Sequence, residues 1–252
     1  MNKYFREQKE RLVVGKTYNL DFPPHIHEEL ELVYMAKGSC TAFCADREYK
    51  LFAGDFFLAF PEQVHYYYNS CNCLAYLVIV HPGQLAIERR TPVNAVYACS
   101  EDDLVSLLEL TCREHEQNKA HSVTVSMLQA LLGKLLRHYQ FQNDLQQNSV
   151  AEQLVRYCSN HYKQPLSISS VAKALYLSQS HISHTFNDKL KISFSDYVNS
   201  LRLDEAVRLL SKDGISIEQI AELSGFPTTR TFHRVFRKKY GMSPREYKKS
   251  GL

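Results

Sequence analysis

The chain has 252 residues, of which 44% are hydrophobic, and only 9 Gly and 8 Pro, so it has the composition of an ordinary globular protein of one or two domains. No apolar run approaches the ~18 residues that span a bilayer, and the start MNKYFREQKERLVV lacks the apolar segment of a secretory signal, so we expect a cytoplasmic protein with no membrane partner. The formal net charge of +3 is unevenly distributed, since residues 150–252 carry 16 Lys and Arg against 9 Asp and Glu, which suggests a polyanionic partner for the C-terminal part.

The first hundred residues predict a β-rich domain. Short β-branched and aromatic runs, among them ELELVYMA, DFFLAF and LAYLVIV, alternate with turn signals such as FPPH, KGS and AGD. Many short strands joined by close turns are typical of a sandwich or a small barrel. We therefore predict a β-barrel over residues 1–99.

Near residue 100 the hydrophobic period becomes that of a helix. Ser100, followed by acidic residues, is a good helix start. A later segment carries an apolar stripe made of Val125, Leu128, Leu131, Leu132, Leu135 and Leu136. We predict that residues 100–141 are helical and either cover the barrel or pair with a second copy of the chain. The polar, aperiodic residues 142–148 predict a linker to a last domain at 149–252.

The last domain contains an internal repeat. LSISSVAKALYLSQSHISHTFNDKLKISFSDYV (166–198) aligns with ISIEQIAELSGFPTTRTFHRVFRKKYGMSPREYK (215–248). Each copy predicts a short helix, a tight turn and a second helix, which is the helix-turn-helix pattern. The intervening SLRLDEAVRLLSKDG predicts a connecting helix.

The second helix of copy two has two contrasting faces. The apolar face comprises Phe232, Val235 and Phe236, and the cationic face comprises Arg230, His233, Arg234 and Arg237. The first face predicts contact with a core, which we expect to include Ile220, Ala221 and Leu223 of the preceding helix. The second face predicts contact with anions, with an ordinary solvated helix surface as the alternative.

These residues resemble the DNA-binding domain of the AraC/XylS family of transcription regulators. The resemblance rests on SIEQIAELSGF, FHRVFRKKYGMSPREY and LRLDEAVRLL. It implies an all-α domain in which two helix-turn-helix units, joined by a long helix, each place their second helix in the major groove of duplex DNA.

The same resemblance implies recognition helices at about Gln179–Lys189 and Thr228–Lys239. The implied DNA-binding residues are Ser180, Ser183 and His184 in the first helix and Thr229, Arg230, His233, Arg234 and Arg237 in the second. Because Arg reads G bidentately whereas Ser and neutral His make poorer contacts, we expect the second unit to be the stronger reader. Copy one departs from the family at Lys191, where a Gly is usual and where copy two keeps Gly241. A left-handed backbone there would cost about 1 kcal/mol without Gly.

The N-terminal barrel resembles the cupins. HIHEELELVYMAKG fits the first cupin motif through His25, His27, Glu31 and Gly38. GDFFLAFPEQVHYYYN resembles the second through Gly54, Pro61, His65 and Asn69, although the Gly expected after the Pro is missing. Strand parity places the first three on one face, and Tyr67 shares the parity of His65 whereas Tyr66 and Tyr68 do not.

Three interpretations of this set remain open. AraC-type regulators commonly sense a small molecule, often a sugar, in this barrel, which makes His25, His27, Glu31, His65 and Tyr67 candidates for effector binding. In metal-binding cupins an equivalent set of three His and one Glu holds a divalent metal, so the alternative is a metal-dependent cupin enzyme fused to a DNA-binding domain. The third interpretation is a set of hydrogen-bonded residues at the barrel mouth.

The whole sequence thus predicts a two-domain α+β protein, with a cupin-like barrel, a helical extension and a double helix-turn-helix domain. We interpret it as a ligand-responsive transcription regulator rather than an enzyme, with no cofactor. Its expected partners are double-stranded DNA, a small-molecule effector for which a carbohydrate is the candidate, a second copy of the chain, and RNA polymerase.

Overall fold

The computed structural model describes residues 12–44, 47–85, 91–99, 101–118, 121–142 and 149–250. These residues form two compact units, the first ending before and the second beginning after the segment 143–148. The predicted linker lies almost wholly in that segment and, like the predicted helix start at Ser100, falls outside the described residues.

The N-terminal unit is built on an antiparallel sheet. Its strands are β1 (Leu12–Thr17), β2 (Phe22–His25), β3 (Leu30–Cys44), β4 (Arg47–Phe52), β5 (Asp55–Ala59), β6 (His65–Val80) and β8 (Val96–Ala98). The order is β1-β6-β3-β5-β8, with β2 also on β6 and β4 also on β3. β7 (Thr91–Pro92) pairs with β9 (Phe141–Gln142) in a separate small sheet, and β9 is a strand that the sequence did not predict.

The two long strands, β3 and β6, bend as they pass through the sheet. Their register shifts between Met35 and Thr41, and such bulges bend and twist a strand. Gly38 lies within this bend with a φ of 79°, and a Cβ there would lie 2.2 Å from the carbonyl oxygen of Cys71. The glycine of the first motif is therefore needed for the close approach of the two strands.

Two helices cover one face of this sheet. α1 (Asp102–Asn118) and α2 (His121–Leu135) are followed by a short 3₁₀ turn (Leu136–His138). Leu128, Leu131, Leu132 and Leu135 of the predicted stripe are buried against strand residues that include Leu30 and Phe56. The stripe therefore covers its own domain, which is the first of the two uses that the sequence left open.

The C-terminal unit is all helical. Its helices are α3 (Val150–His161), α4 (Ile168–Leu175), α5 (Gln179–His184), α6 (Phe194–Leu210), α7 (Ile217–Leu223), α8 (Thr229–Tyr240) and α9 (Pro244–Ser250). α5 continues into a π-helical turn (Thr185–Lys189), so the first recognition segment is helical over the predicted residues, with a π turn in its second half. In the described part of the chain, no helix is both long and apolar enough to span a membrane.

The central helix α6 is fixed to the end of α3 by buried charges. Arg202 donates to the carbonyl oxygens of Tyr162 (2.8 Å) and Gln164 (3.1 Å). Glu205 accepts from Lys163 at 2.7 Å and from two nitrogens of Arg208 at 2.8 Å each. These bonds satisfy charged groups that would otherwise be costly to bury.

Candidate functional site

Three strands and one loop bring the five predicted pocket residues together. His25 on β2 is the direct cross-strand partner of His65 on β6. Glu31 lies at the start of β3, and His27 lies in the preceding loop. Tyr67 lies two residues after His65 on β6, so both side chains point to the same face.

Glu31 is the centre of the cluster. The Tyr67 hydroxyl donates to its Oε1 at 2.6 Å. Its Oε2 faces the Nε2 atoms of His27, His65 and His25 at 3.3, 3.5 and 4.0 Å. The predicted grouping is therefore present in the structure, and Glu31, His65 and Tyr67 are almost completely buried.

Each imidazole is oriented by a backbone carbonyl on its other side. Nδ1 of His25 lies 2.9 Å from the oxygen of Pro23, Nδ1 of His27 lies 3.0 Å from that of Glu29, and Nδ1 of His65 lies 2.9 Å from that of Gln63. A carbonyl can only accept, so in each neutral ring the proton is on Nδ1 and the lone pair is on Nε2. Sequence reasoning missed these carbonyls because a backbone acceptor leaves no signal in residue type.

The protonation of the cluster follows from burial and mutual charge. Burial and the neighbouring His65 lower the pKa of His25 to about 3. Burial also opposes a charge on His27, but the hydrogen bond and charge of Glu31 outweigh it and raise the pKa of His27. Burial alone would raise the pKa of Glu31, but the three imidazoles hold it well below its usual range. The pKa of Tyr67 is raised by burial and by Glu31, so the hydroxyl stays a donor.

The tyrosines on either side of Tyr67 lie on the other face of β6, as strand parity predicts. Tyr66 stacks on Phe43 with ring centroids 4.5 Å apart, and Tyr68 stacks on the same ring at 5.8 Å. Of the second motif, the side chain of Asn69 lies outside the described part.

A second candidate site is the cationic face of α8. The helix begins after Thr228, whose hydroxyl accepts from the amide of Thr231 at 3.1 Å and caps it. Phe232, Val235 and Phe236 are buried with Ile220 and Ala221, whereas Arg230, His233, Arg234 and Arg237 are exposed and Thr229 is half-buried. Leu223 was also predicted to contact this face, but it is 51% exposed and lies outside this core.

The corresponding face of the first unit is less cationic. Ser180 and His184 are exposed and Ser183 is half-buried. The imidazole of His184 lies 3.1 Å from the carboxylate of Asp188, one turn later. This acidic neighbour makes the first helix a weaker match for a polyanion than α8.

Family models match both the N-terminal and the C-terminal part of the chain. Residues 12–155 match a family model described as an AraC-like ligand binding domain, and residues 171–250 match one described as a helix-turn-helix domain. YijO of Escherichia coli, an uncharacterized HTH-type transcriptional regulator, is 32% identical over 149 residues, 58% of this chain and 51% of that protein. The chain thus spans about half the length of that relative. RhaR of Salmonella schwarzengrund, an HTH-type transcriptional activator, is 22% identical over 97% of this chain and 94% of its own.

A solved structure is similar over nearly the full length. The structure of wild-type ToxT from Vibrio cholerae, bound to an unsaturated fatty acid, aligns with this chain with a TM-score of 0.53 over 97% of each chain. The sequence identity is 15%, so the similarity concerns the fold alone.

Proposed function

Because the chain belongs to the AraC-type family of transcription regulators, we propose that it binds duplex DNA through its two helix-turn-helix units and controls transcription in response to a ligand of its N-terminal unit. The observation that carries the proposal is the division of α8 into a buried apolar face and an exposed cationic face. The buried face fixes the helix, so the exposed side chains are presented on a rigid element, as groove readers require.

Within α8 the DNA contacts divide by position. We assign Thr229, Arg230 and Arg234 to base edges, because the family resemblance places base-reading side chains there, and His233 or Arg237 to phosphates. Ser180, Ser183 and His184 of the first unit are the weaker contacts, because they offer no bidentate partner for G.

The cluster around Glu31 is the proposed ligand site of the N-terminal unit. Its buried hydrogen-bonding groups suit a polar ligand, of which a carbohydrate is the candidate from the sequence. The fatty acid belongs to ToxT, and an alkyl chain would leave these polar groups without partners.

The remaining partners follow from the regulator interpretation. A second copy of the chain is proposed because regulators commonly bind as symmetric dimers. The surface for it is the outer side of α1 and α2, where Val123 and Leu110 are exposed beside a groove lined by Leu107, Met127 and Ala130. The same proposal includes contact with RNA polymerase and a location in the cytoplasm.

The alternative function is a metal-dependent enzyme fused to a DNA-binding domain, with the metal held by His25, His27, Glu31 and His65. Catalytic metal sites usually keep one position open for water or substrate. Here four donors converge in a closely packed, largely buried cluster. This arrangement favours binding over catalysis, and we propose that the protein is not an enzyme.

DNA reading by α8 is tested with Arg234→Ala in the full chain. We expect unchanged thermal stability, because the side chain is exposed, and a loss of about 1–3 kcal/mol of discrimination at one base pair. Affinity is measured on a selected site and on scrambled duplex, with the exposed Arg113→Ala in α1 as the charge-matched control.

Two results would contradict this assignment. Equal weakening on both duplexes would make Arg234 a phosphate contact rather than a base reader. If the unchanged protein shows no duplex binding even at low salt, where phosphate contacts are strongest, the regulator proposal itself fails.

A further inference from the structure

The cluster around Glu31 has the composition and size of a metal site. One donor atom from each of His25, His27, Glu31 and His65 lies within 4.8 Å of the other three. The side chains of Glu31 and His65 are 0% and 1% exposed. Three nitrogens and one carboxylate oxygen thus converge within a span that a single ion can bridge.

The hydrogen bonds of the cluster prepare it for a cation. Because each Nδ1 is directed at a backbone carbonyl, the neutral rings present their Nε2 lone pairs towards Oε2 of Glu31. Nε2 of His65 is buried 3.5 Å from Oε2 of Glu31 and forms no hydrogen bond within the described part of the chain. Converging lone pairs beside a carboxylate repel one another unless a positive charge lies among them.

The outer contacts are those that orient metal ligands. Metal-binding imidazoles typically donate their other N–H to a carbonyl or carboxylate, which fixes the tautomer. All three imidazoles do so here, and the Tyr67 hydroxyl holds the second oxygen of Glu31 at 2.6 Å. Glu31 is thereby left with one oxygen, Oε2, directed at the three nitrogens.

The spacing of the donors is close to that of a coordinated ion. Zn²⁺ bonds of about 2.0–2.1 Å in a tetrahedron place the ligand atoms roughly 3.3–3.4 Å apart. The three nitrogens lie 3.3, 3.5 and 4.0 Å from Oε2. Nε2 of His27 and of His65 are close to this spacing from Oε2, whereas Nε2 of His25 is 4.0 Å away. The four donor atoms span up to 4.8 Å, so the side chains have to draw together around an ion.

We propose that His25, His27, Glu31 and His65 bind one divalent first-row transition metal ion of the zinc and nickel class, and that this cation, in place of the carbohydrate expected from the sequence, is the ligand that occupies the cluster. Three imidazoles select such ions over Mg²⁺ and Ca²⁺, which prefer oxygen donors in larger number. The regulatory part of this inference rests on the proposed function, whereas the metal site itself does not. Tyr67 is a positioning residue that orients Glu31.

The test uses the full chain, stripped with a chelator and dialysed against Zn²⁺, Ni²⁺, Co²⁺ or Mg²⁺. We expect one equivalent of each transition metal ion per chain by mass spectrometry, no Mg²⁺, and a melting temperature that rises with ion concentration. Bound Co²⁺ should show the strong visible bands of a four-coordinate site and no thiolate charge-transfer band, because the predicted donors are nitrogen and oxygen.

Variants separate this site from others on the surface. Tyr67→Phe should weaken binding about 10–100-fold, as loss of an outer contact does, and Glu31→Gln and His65→Gln should weaken it further. Glu28→Gln, His121→Gln and Cys71→Ser, all exposed, should leave stoichiometry and affinity unchanged. Circular dichroism and duplex DNA binding of each variant report whether both units remain folded.

Two outcomes would overturn the inference. In the first, the protein is folded and binds DNA, but no ion binds to it saturably. The negative charge of Glu31 would then be balanced by a proton on His27 alone. In the second, binding survives Glu31→Gln and His65→Gln but is lost in Cys71→Ser or His121→Gln, so the ion lies elsewhere. DNA binding by the ion-free protein would leave the regulator proposal standing in both cases.

Discussion

Two glycines of the second helix-turn-helix unit have the same backbone conformation but different surroundings. Gly225, in the turn between α7 and α8, has a φ of 81°, and Gly241, after α8, has a φ of 73°. A Cβ at Gly225 would lie 2.5 Å from the Cα of Lys163, whereas one at Gly241 would meet nothing within 4 Å. Copy one tolerates Tyr176 and Lys191 at the corresponding places, both with positive φ.

This contrast predicts unequal costs for the same substitution. Gly241→Ala should destabilise the unit by about 1 kcal/mol through backbone strain alone. Gly225→Ala should cost at least about 3 kcal/mol, because the strain is joined by overlap with backbone atoms that cannot move aside. Urea unfolding of the two variants measures the difference, and equal effects would show that the turn yields to the extra methyl group.

The expectation about Lys191 was correct in conformation. The glycine that the family usually has at this place implied a left-handed backbone. Lys191 has a φ of 53°, so the chain adopts the left-handed turn despite the strain. The sequence could reveal this because turn chemistry is local. It could not reveal that Gly225 touches the end of α3, since that contact joins residues far apart in the chain.

At the scale of elements, the repeat and the two-faced pattern predicted the helix-turn-helix units well. Ser216 and Ser167 begin α7 and α4 as capping boxes, each through a local serine signal. The π turn after α5, the strand β9 and the fixing of α6 to α3 were not predicted. The strand β9 and the fixing of α6 depend on contacts with distant residues, for which local periodicity carries no information.

The same limit applies to the candidate site. Cupin spacing grouped His25, His27, Glu31 and His65, and strand parity correctly put Tyr67 on the same face as His65. Parity was the wrong reason for grouping His25, His27 and Glu31, because His27 lies in the loop between β2 and β3. Spacing and parity could not give the carbonyls that orient the rings or the single oxygen of Glu31 that faces the three imidazoles. Those features set the chemistry of the cluster and come from the folded backbone.

The ion pairs of α6 predict a pH dependence. Hydrogen bonds from Arg208, aided by Lys163 and opposed by burial, lower the pKa of Glu205 from 4.5 to about 2. A depressed carboxyl pKa stabilises the folded state above the unfolded pKa, and this stability is lost as the pH falls from about 4.5 towards 2. Glu205→Gln should therefore be less stable than the wild type near neutral pH, and the gap should narrow on acidification.

Urea unfolding at neutral pH and at intervals down to pH 2 measures this gap. The exposed Glu222→Gln on α7 is the control, because it removes the same charge without a buried partner. A gap that stays constant with pH would mean that Glu205 acts through packing and not through its charge.

At the scale of the whole molecule, each unit has a core of its own. Leu131 of α2 is buried among strand residues of the N-terminal unit. Phe236 of α8 is buried among helix residues of the C-terminal unit, in contact with Phe232 and Tyr247. The two cores share no member, so the units are able to unfold in separate steps.

This organisation predicts two calorimetric transitions with separate sensitivities. Leu131→Ala should lower the melting temperature of only one transition, because truncating a buried Leu costs about 2–5 kcal/mol. Phe236→Ala should lower the melting temperature of only the other, because truncating a buried Phe costs about 3–5 kcal/mol. The transition moved by Leu131→Ala is also the one that Zn²⁺ should raise, whereas duplex DNA should raise the one moved by Phe236→Ala. A single transition lowered by both substitutions would mean that the units unfold cooperatively. A ligand bound in one unit would then alter the other through their shared stability, and the independence argued from the two cores would be wrong.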